Sequence, residues 1–324
     1  MARYFESAQD LIGDTPLVKL NNMGLPDGVN AFAKLELYNP AGGVKDRVGK
    51  AMLDQAERDG TLKPGGVIIE STAGNTGLGV AFAALNRGYR LIFIIPDKFS
   101  IEKQVLIRAL GAEVINTPAA DGMAGATALA EQMRAEIPGA VMLGQFTNPA
   151  NPRVHYQTTG PEVWEALGGQ IDYYLAGVGS GGTFSGVASY LKSQNPAIKA
   201  VLVDPVGSTM GGGEAGTWDI EGIGNLAIPE TMDMALIDDI VKVDSAEAVE
   251  WARKLVRHEG IFAGPSSGAA MAATAKLADK LATQRDSATA LVLAQNDGVT
   301  AKPINIVTIF PDRGARYFSK HLYE

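Results

Sequence analysis

The sequence predicts an α/β protein made of two doubly wound open sheets, largely parallel in type, with helices on both faces. Three observations carry that prediction. Short β-branched or aliphatic runs alternate with amphipathic helical patterns, glycine-rich turns follow the runs, and 324 residues suit about two units of roughly 150 each. Continuous apolar strands between amphipathic helices imply a parallel sheet covered on both sides.

In chain order, the runs that read as strands are 67–70, 91–95, 113–116, 140–145, 173–178, 200–204 and 304–310. Helical spacing of apolar residues places helices at 46–58, 76–87, 101–110, 124–135, 183–193, 246–258 and 268–281. The segment 147–152 carries two prolines and two asparagines directly after a strand, and is the candidate crossover between units. The stretch 283–303 reads as irregular, and its Leu291–Leu293 run belongs to no element. No internal repeat and no low-complexity tract interrupts this order. In open α/β sheets ligands bind beyond the carboxyl ends of the strands, which is where the glycines fall.

Composition narrows the chemistry. Cysteine is absent and histidine occurs three times, at His155, His258 and His321. Disulfides, a thiolate nucleophile and Cys-ligated zinc or iron–sulfur centres are therefore excluded, and no metal site is expected. The net charge of −8 comes without a basic block, so no nucleic-acid partner is expected. No apolar run approaches the ~20 residues of a membrane span. The N-terminus, Met1-Ala-Arg-Tyr-Phe-Glu, lacks the apolar core of a signal peptide, so the cytoplasm is the expected location.

Four glycine-bearing loops could carry chemistry. In Asn39-Pro-Ala-Gly-Gly-Val-Lys-Asp-Arg47, Lys45 stands at the start of a helix, whose positive potential favours the neutral amine. The alternative is a solvated lysine. Glu70-Ser-Thr-Ala-Gly-Asn-Thr-Gly77 reads either as a nest for an anion such as a carboxylate, or as a turn in which Ser71 or Thr72 merely caps the helix. Gly177-Val-Gly-Ser-Gly-Gly-Thr183 lets backbone approach a phosphate, with hydroxyls at Ser180 and Thr183. The same loop matches the dinucleotide fingerprint, with Asp204 22 residues after Gly182 as its ribose acid, and local pattern does not separate the two. In Gly264-Pro-Ser-Ser-Gly268 a serine either faces a ligand or caps a helix.

Together these loops resemble the cysteine synthase and cystathionine β-synthase family of pyridoxal-phosphate enzymes, fold type II. The resemblance runs from Asp14-Thr-Pro-Leu-Val18 to Ile309-Phe-Pro-Asp312. Its specific parts include Lys45-Asp-Arg47, Thr72-Ala-Gly-Asn-Thr-Gly77, Gln145-Phe-Thr-Asn-Pro-Ala-Asn-Pro152, Thr158-Thr-Gly-Pro-Glu162, Gly179-Ser-Gly-Gly-Thr183, Glu221-Gly-Ile-Gly224 and Gly264-Pro-Ser-Ser-Gly268. Seven ordered motifs outweigh the single dinucleotide fingerprint.

The resemblance implies a cleft between a smaller, mobile domain, 41–150, and a larger one formed by 1–40 with 151–324. It implies that pyridoxal 5'-phosphate is held by Lys45 as a Schiff base, by Asn75, by Gly179, Ser180, Gly181, Gly182 and Thr183 at its phosphate, and by Ser266, or less readily Ser267, at its pyridine nitrogen. Thr72, Ala73, Gly74 and Thr76, with Gln145, would hold the substrate carboxylate, and Gly222 and Gly224 would line the opposite wall. The implied reaction is β-replacement on O-acetylserine or serine by a thiol through an aminoacrylate, with Lys45 as proton shuttle. A neutral hydroxyl opposite the pyridine nitrogen makes a mild electron sink, which suits loss of a β-substituent.

Two residues depart from the usual cysteine synthase pattern, in which serine stands at the positions of Ala73 and Gly43. The Thr-Ala-Gly-Asn-Thr-Gly form resembles bacterial enzymes that join O-acetylserine to homocysteine, giving cystathionine. Phe146 after Gln145 resembles the cysteine synthases, which use sulfide. A serine or threonine dehydratase is the remoter alternative. The expected partners are the amino-acid and thiol substrates and a second copy of the chain.

Overall fold

The computed structural model describes residues 4–293 and 302–324. The chain enters through β1 (Leu17–Leu20) and β2 (Val29–Leu35), then α1 (Lys45–Arg58). Next come β3 (Val67–Ser71), α2 (Asn75–Ala83), β4 (Arg90–Pro96), α3 (Ile101–Ala109), β5 (Glu113–Thr117), α4 (Gly122–Glu136) and the short β6 (Ala140–Val141). After α5 (Ala150–Val154) and α6 (Gly160–Ala166) follow β7 (Tyr173–Gly177), α7 (Gly182–Gln194), β8 (Lys199–Pro205), β9 (Asp239–Val243), α8 (Ser245–Lys254), α9 (Pro265–Leu293) and β10 (Ile304–Phe310).

Two sheets result. The smaller has the order β5-β4-β3-β6 and is parallel throughout. The larger runs β1-β2-β10-β7-β8-β9, parallel except where β1 meets β2. Side chains alternate along each strand, so each sheet buries two faces. In the smaller, Ile68, Phe93 and Ile95 meet Val48 and Met52 of α1 and Leu78 of α2. Its other face, Ile69, Ile92 and Ile94, meets Ala126 and Ala130 of α4. In the larger, Tyr174, Leu202 and Val307 pack on Phe184, Val187 and Leu191 of α7, while Leu175, Val201 and Ile306 pack on Ala269, Ala272 and Ala273 of α9.

One contact positions the site directly. Helices α1 and α2 touch backbone to backbone: a Cβ on Gly49 would lie 2.3 Å from the Gly79 carbonyl carbon, and one on Gly79 2.1 Å from the Lys45 carbonyl oxygen. No other residue type fits there.

The differences from the sequence reading have physical causes. Strands β1, β2 and β9 carry polar residues that broke the apolar runs, and the fold gives those residues partners. Asn30 of β2 donates to Asn305 Oδ1 on β10 at 2.9 Å, and Lys242 of β9 pairs with Asp204 of β8 at 2.6 Å. The run 140–145 pairs only over β6, because the Leu143 and Gly144 N–H groups turn to the Glu70 carboxylate instead of a strand. Prolines and asparagines at 147–152 do leave the smaller sheet, but helix resumes at Ala150. The supposed irregular stretch 283–303 is helical as far as Leu293, its run included, while 294–301 lies outside the described residues. No helix among the described residues is long and apolar enough to cross a membrane.

Candidate active site

The loop before α1 is stitched to the end of β10: Val44 N–H donates to the Pro311 carbonyl at 2.8 Å, and Gly43 bridges Asp312. Lys45 therefore opens α1 beside the carboxyl ends of the larger sheet, lining a pocket with Gly179–Gly181 and Thr183. Burial pushes its amine down from 10.5 to about 8, against the opposing pull of the Asp312 carboxylate. The direction is the expected one; burial drives it.

Two residues on, Arg47 anchors the helix. Its guanidinium donates twice to Glu36, at 2.8 Å each, and to both Glu162 oxygens at 2.6 and 2.7 Å. Lys34 pairs with Glu162 at 2.6 Å, so two cations face two carboxylates in the interior. Desolvation works against the Arg47 charge, but Glu36 and Glu162 raise its pKa overall.

Glycine lets the loop after β7 lie flush against its neighbours. A Cβ on Gly182 would fall 2.0 Å from Asn151 Oδ1, and Gly181 has φ +88°. Among the described residues no side chain caps α7 at Gly181, and Gly181 and Thr183 line the pocket, so the positive end of the helix dipole adjoins it. Asn151 Nδ2 donates to Ser180 Oγ at 2.9 Å and to the Gln145 carbonyl at 2.8 Å. Thr183 Oγ1 meets His155 Nε2 at 3.1 Å, and His155 Nδ1 meets Thr159 Oγ1 at 2.9 Å. Burial, with Arg47 and Lys45 nearby, holds His155 well below the usual histidine range, so the ring is neutral at pH 7 and braces the loop. Asp204 accepts through Oδ2 from Lys242 and from Gly211 N–H at 2.8 Å, and at 1% exposure it is buried away from any ribose.

The Thr72–Thr76 loop joins β3 to α2. Thr72 Oγ1 accepts the Gly74 N–H at 3.0 Å and the Gly77 N–H in the first turn of α2 at 3.4 Å, so Thr72 does cap the helix from within the loop, and Ser71 bonds Thr127. Thr76 donates to Gln145 Oε1 at 2.6 Å, uniting the two segments expected at a substrate carboxylate. Glu70 beneath them accepts the Leu143 N–H at 2.9 Å and the Gly144 N–H at 3.1 Å. Burial lifts its carboxyl from 4.5 to about 7 despite those bonds. Lys103 of α3 packs its stem against Gly74 and reaches Glu221 at 2.7 Å, beside the opposite wall of Gly222 and Gly224.

The pocket brings together Lys45, Gly179, Ser180, Gly181, Thr183 and Gly222. Gly182, Asn75, Thr72, Ala73, Gly74, Thr76, Gln145, Gly224 and Ser266 stand outside its wall. Asn75 is nevertheless tied to it, through Asp312. Ser266 is buried at the start of α9, and the hydroxyl of neighbouring Ser267 is buried without a partner among the described residues. Asn151, His155, Glu70, Lys103, Asp312 and Arg316 had no part in the sequence reading of the site. Glu70, Asn151 and Asp312 stood inside quoted motifs without a role of their own, and His155 was one of three histidines; Lys103 and Arg316 carried no signal.

An amine at lowered pKa opposite an uncapped helix N-terminus and a glycine cradle fits an aldehyde-bearing phosphate ester. The known proteins agree. The profile of the pyridoxal-phosphate dependent enzymes matches residues 8–295. The O-acetylserine dependent cystathionine beta-synthase of Bacillus subtilis (strain 168) is 46% identical over 315 residues, covering 97% of this chain and 96% of that protein. A cysteine synthase of Staphylococcus aureus is 41% identical over 320 residues, 98% of this chain and 97% of that one. The crystal structure of O-acetylserine dependent cystathionine beta-synthase from Helicobacter pylori superposes with a TM-score of 0.90 at 38% identity, with all of both chains covered. The chain belongs to the pyridoxal-phosphate dependent enzymes.

Proposed function

We propose that this enzyme performs β-replacement on O-acetylserine, or serine, with homocysteine as the incoming thiol, giving cystathionine. The observation that carries the reaction type is Lys45, near pKa 8, lining one pocket with the Gly179–Thr183 loop. The relatives named for O-acetylserine dependent cystathionine synthesis, in sequence and in structure, support the acceptor. Sulfide, giving cysteine, is the second reading, favoured by Phe146 and the cysteine synthase relative. A serine or threonine dehydratase is remoter.

When bound, the cofactor supplies an electron sink for the substrate's α-carbon. Gly179, Ser180, Gly181, Gly182 and Thr183 would hold its phosphate, Asn75 its phenolic oxygen, and Ser266 its pyridine nitrogen. Lys45 Nζ would hold it between turnovers, and would take the proton from the substrate Cα. Thr72, Ala73, Gly74, Thr76 and Gln145 orient the substrate carboxylate, and Gly222 and Gly224 shape the facing wall. In this reading residues 41–150 form the smaller, mobile domain, 1–40 with 151–324 the larger, and the enzyme works as a cytoplasmic homodimer.

The test is direct. Lys45→Ala should abolish turnover and the visible absorbance of the cofactor-loaded protein; retained activity would end the mechanism. Assays with O-acetylserine and each thiol decide the acceptor, and sulfide turnover about a hundredfold faster than homocysteine turnover, a barrier gap of about 3 kcal/mol, would overturn the preference. Steady pyruvate release from serine without a thiol would point to the dehydratase. Light scattering on the eluted protein reads the oligomer.

A further inference from the structure

The amide of Asn75 is engaged at both ends. Its Oδ1 accepts from Arg316 Nη1 at 2.7 Å, and its Nδ2 donates to Asp312 Oδ2 at 2.7 Å. A guanidinium can only donate and a carboxylate only accept, so this pair permits one orientation of the amide and leaves one N–H free. Neither partner is adjustable, since Asp312 is 2% and Arg316 3% exposed. Arg316 is held in turn by the Ala41 carbonyl.

Asp312 has further ties. Its Oδ2 also accepts from the Tyr317 hydroxyl at 2.6 Å, and its carbonyl accepts the Gly264 N–H at 2.9 Å, at the head of the turn that carries Ser266. Its backbone pairs with Gly43 ahead of Lys45. Its Oδ1 is buried and without a partner among the described residues. The charged and titratable groups around the carboxylate are Lys45 on α1, Arg316 and Tyr317 on the C-terminal turn, and Tyr323 beyond it. Arg316 also faces Asp46.

We propose that Asp312 is a positioning residue for the reaction: with Arg316 it fixes which end of Asn75 faces the cofactor, and it ties Asn75 and Lys45 to the Gly264–Ser266 turn. This rests on the reading of Lys45 and Asn75 as cofactor ligands. Losing the carboxylate charge removes the anion that favours the Lys45 ammonium, and losing the clamp frees Asn75 to turn.

The experiment uses the full chain, with and without pyridoxal phosphate. Asp312→Asn keeps the size and an acceptor for Tyr317 but not the charge. In the cofactor-free protein, the pH dependence of pyridoxal-phosphate uptake reports the Lys45 titration, and Asp312→Asn should lower its midpoint by about one unit. In the loaded protein the variant should shift the absorbance maximum and cut kcat about tenfold with little change in KM. Arg316→Lys keeps the cation but not the planar fork; it should shift the absorbance while leaving the midpoint in place. A wild-type midpoint and spectrum in Asp312→Asn would overturn the proposal, as would an unchanged spectrum in Arg316→Lys should Asp312→Asn fail to fold. Lys45→Ala separates the levels: if it stays coloured, the ligand reading fails; if it is colourless while the other two match wild type, only the positioning role fails.

Discussion

Behind Lys45 four charges cancel, three of them buried and Glu162 16% exposed, whereas behind the amino-acid loop one buried carboxylate stands among backbone N–H groups. Arg47, Lys34, Glu36 and Glu162 form a closed set in which every cation faces a carboxylate at 2.6–2.8 Å. Glu70 has only the N–H groups of the segment around Leu143–Gln145, with no cation beside it among the described residues. The two arrangements fail in different ways. A closed set keeps its charge across the working pH range but does not tolerate truncation, because any member removed strands another in the interior. An unpaired carboxylate gives up its charge instead, and therefore responds to pH.

The strongest way to break the comparison is Arg47→Met. It leaves Glu36 and Glu162 buried against a lone Lys34, and should cost about 3–5 kcal/mol, read as a large fall in denaturation midpoint at every pH between 6 and 8. A loss below about 1 kcal/mol would show that the set is not closed. A smaller effect is expected at the bond between the two walls. Lys103→Met leaves Glu221, 11% exposed, with only Lys320 at 4.0 Å, and should cost about 1–2 kcal/mol while raising KM for the amino acid, because Gly74 and the Glu221–Gly224 segment lose their common tether. An unchanged KM would assign the pair to stability alone.

An effect confined to a window of pH sharpens the contrast most. Glu70 binds its proton more tightly in the folded state, at about 7 against 4.5, so the stability linked to that proton is fully present below pH 4.5 and is lost as pH rises through 7. Glu70→Gln removes this slope, worth about 3 kcal/mol at most over the window. The melting temperature of the variant, relative to wild type, should climb between pH 5 and 8. Parallel curves would refute the unpaired state of Glu70.

The strands and helices that carry apolar periodicity were legible in the sequence, as were the loops that line the pocket, because glycine clusters after strands have few other uses. What escaped shares one property: its meaning is a long-range partner. Lys34 and Lys242 interrupt apolar runs, yet each is matched across space, by Glu162 and by Asp204. Asp312 stood in a recognised motif, but its grip on Asn75 spans 237 positions. Glu70 opened a motif whose following residues drew the attention, while its carboxylate ended a strand 73 positions away. Local pattern holds the backbone's turns and not the address of a charge.

The bare contact between α1 and α2 has a mechanical meaning. Side chains absorb displacement by changing rotamer, but the Gly49–Gly79 seam has none to change, and the Lys45 carbonyl lies directly on it. It is a bearing without play. A shift at Asn75 or Thr76, one turn from Gly79, therefore reaches the root of Lys45 with no side chain at the seam to take it up, and the spacing between the lysine and the loop across from it is set backbone to backbone.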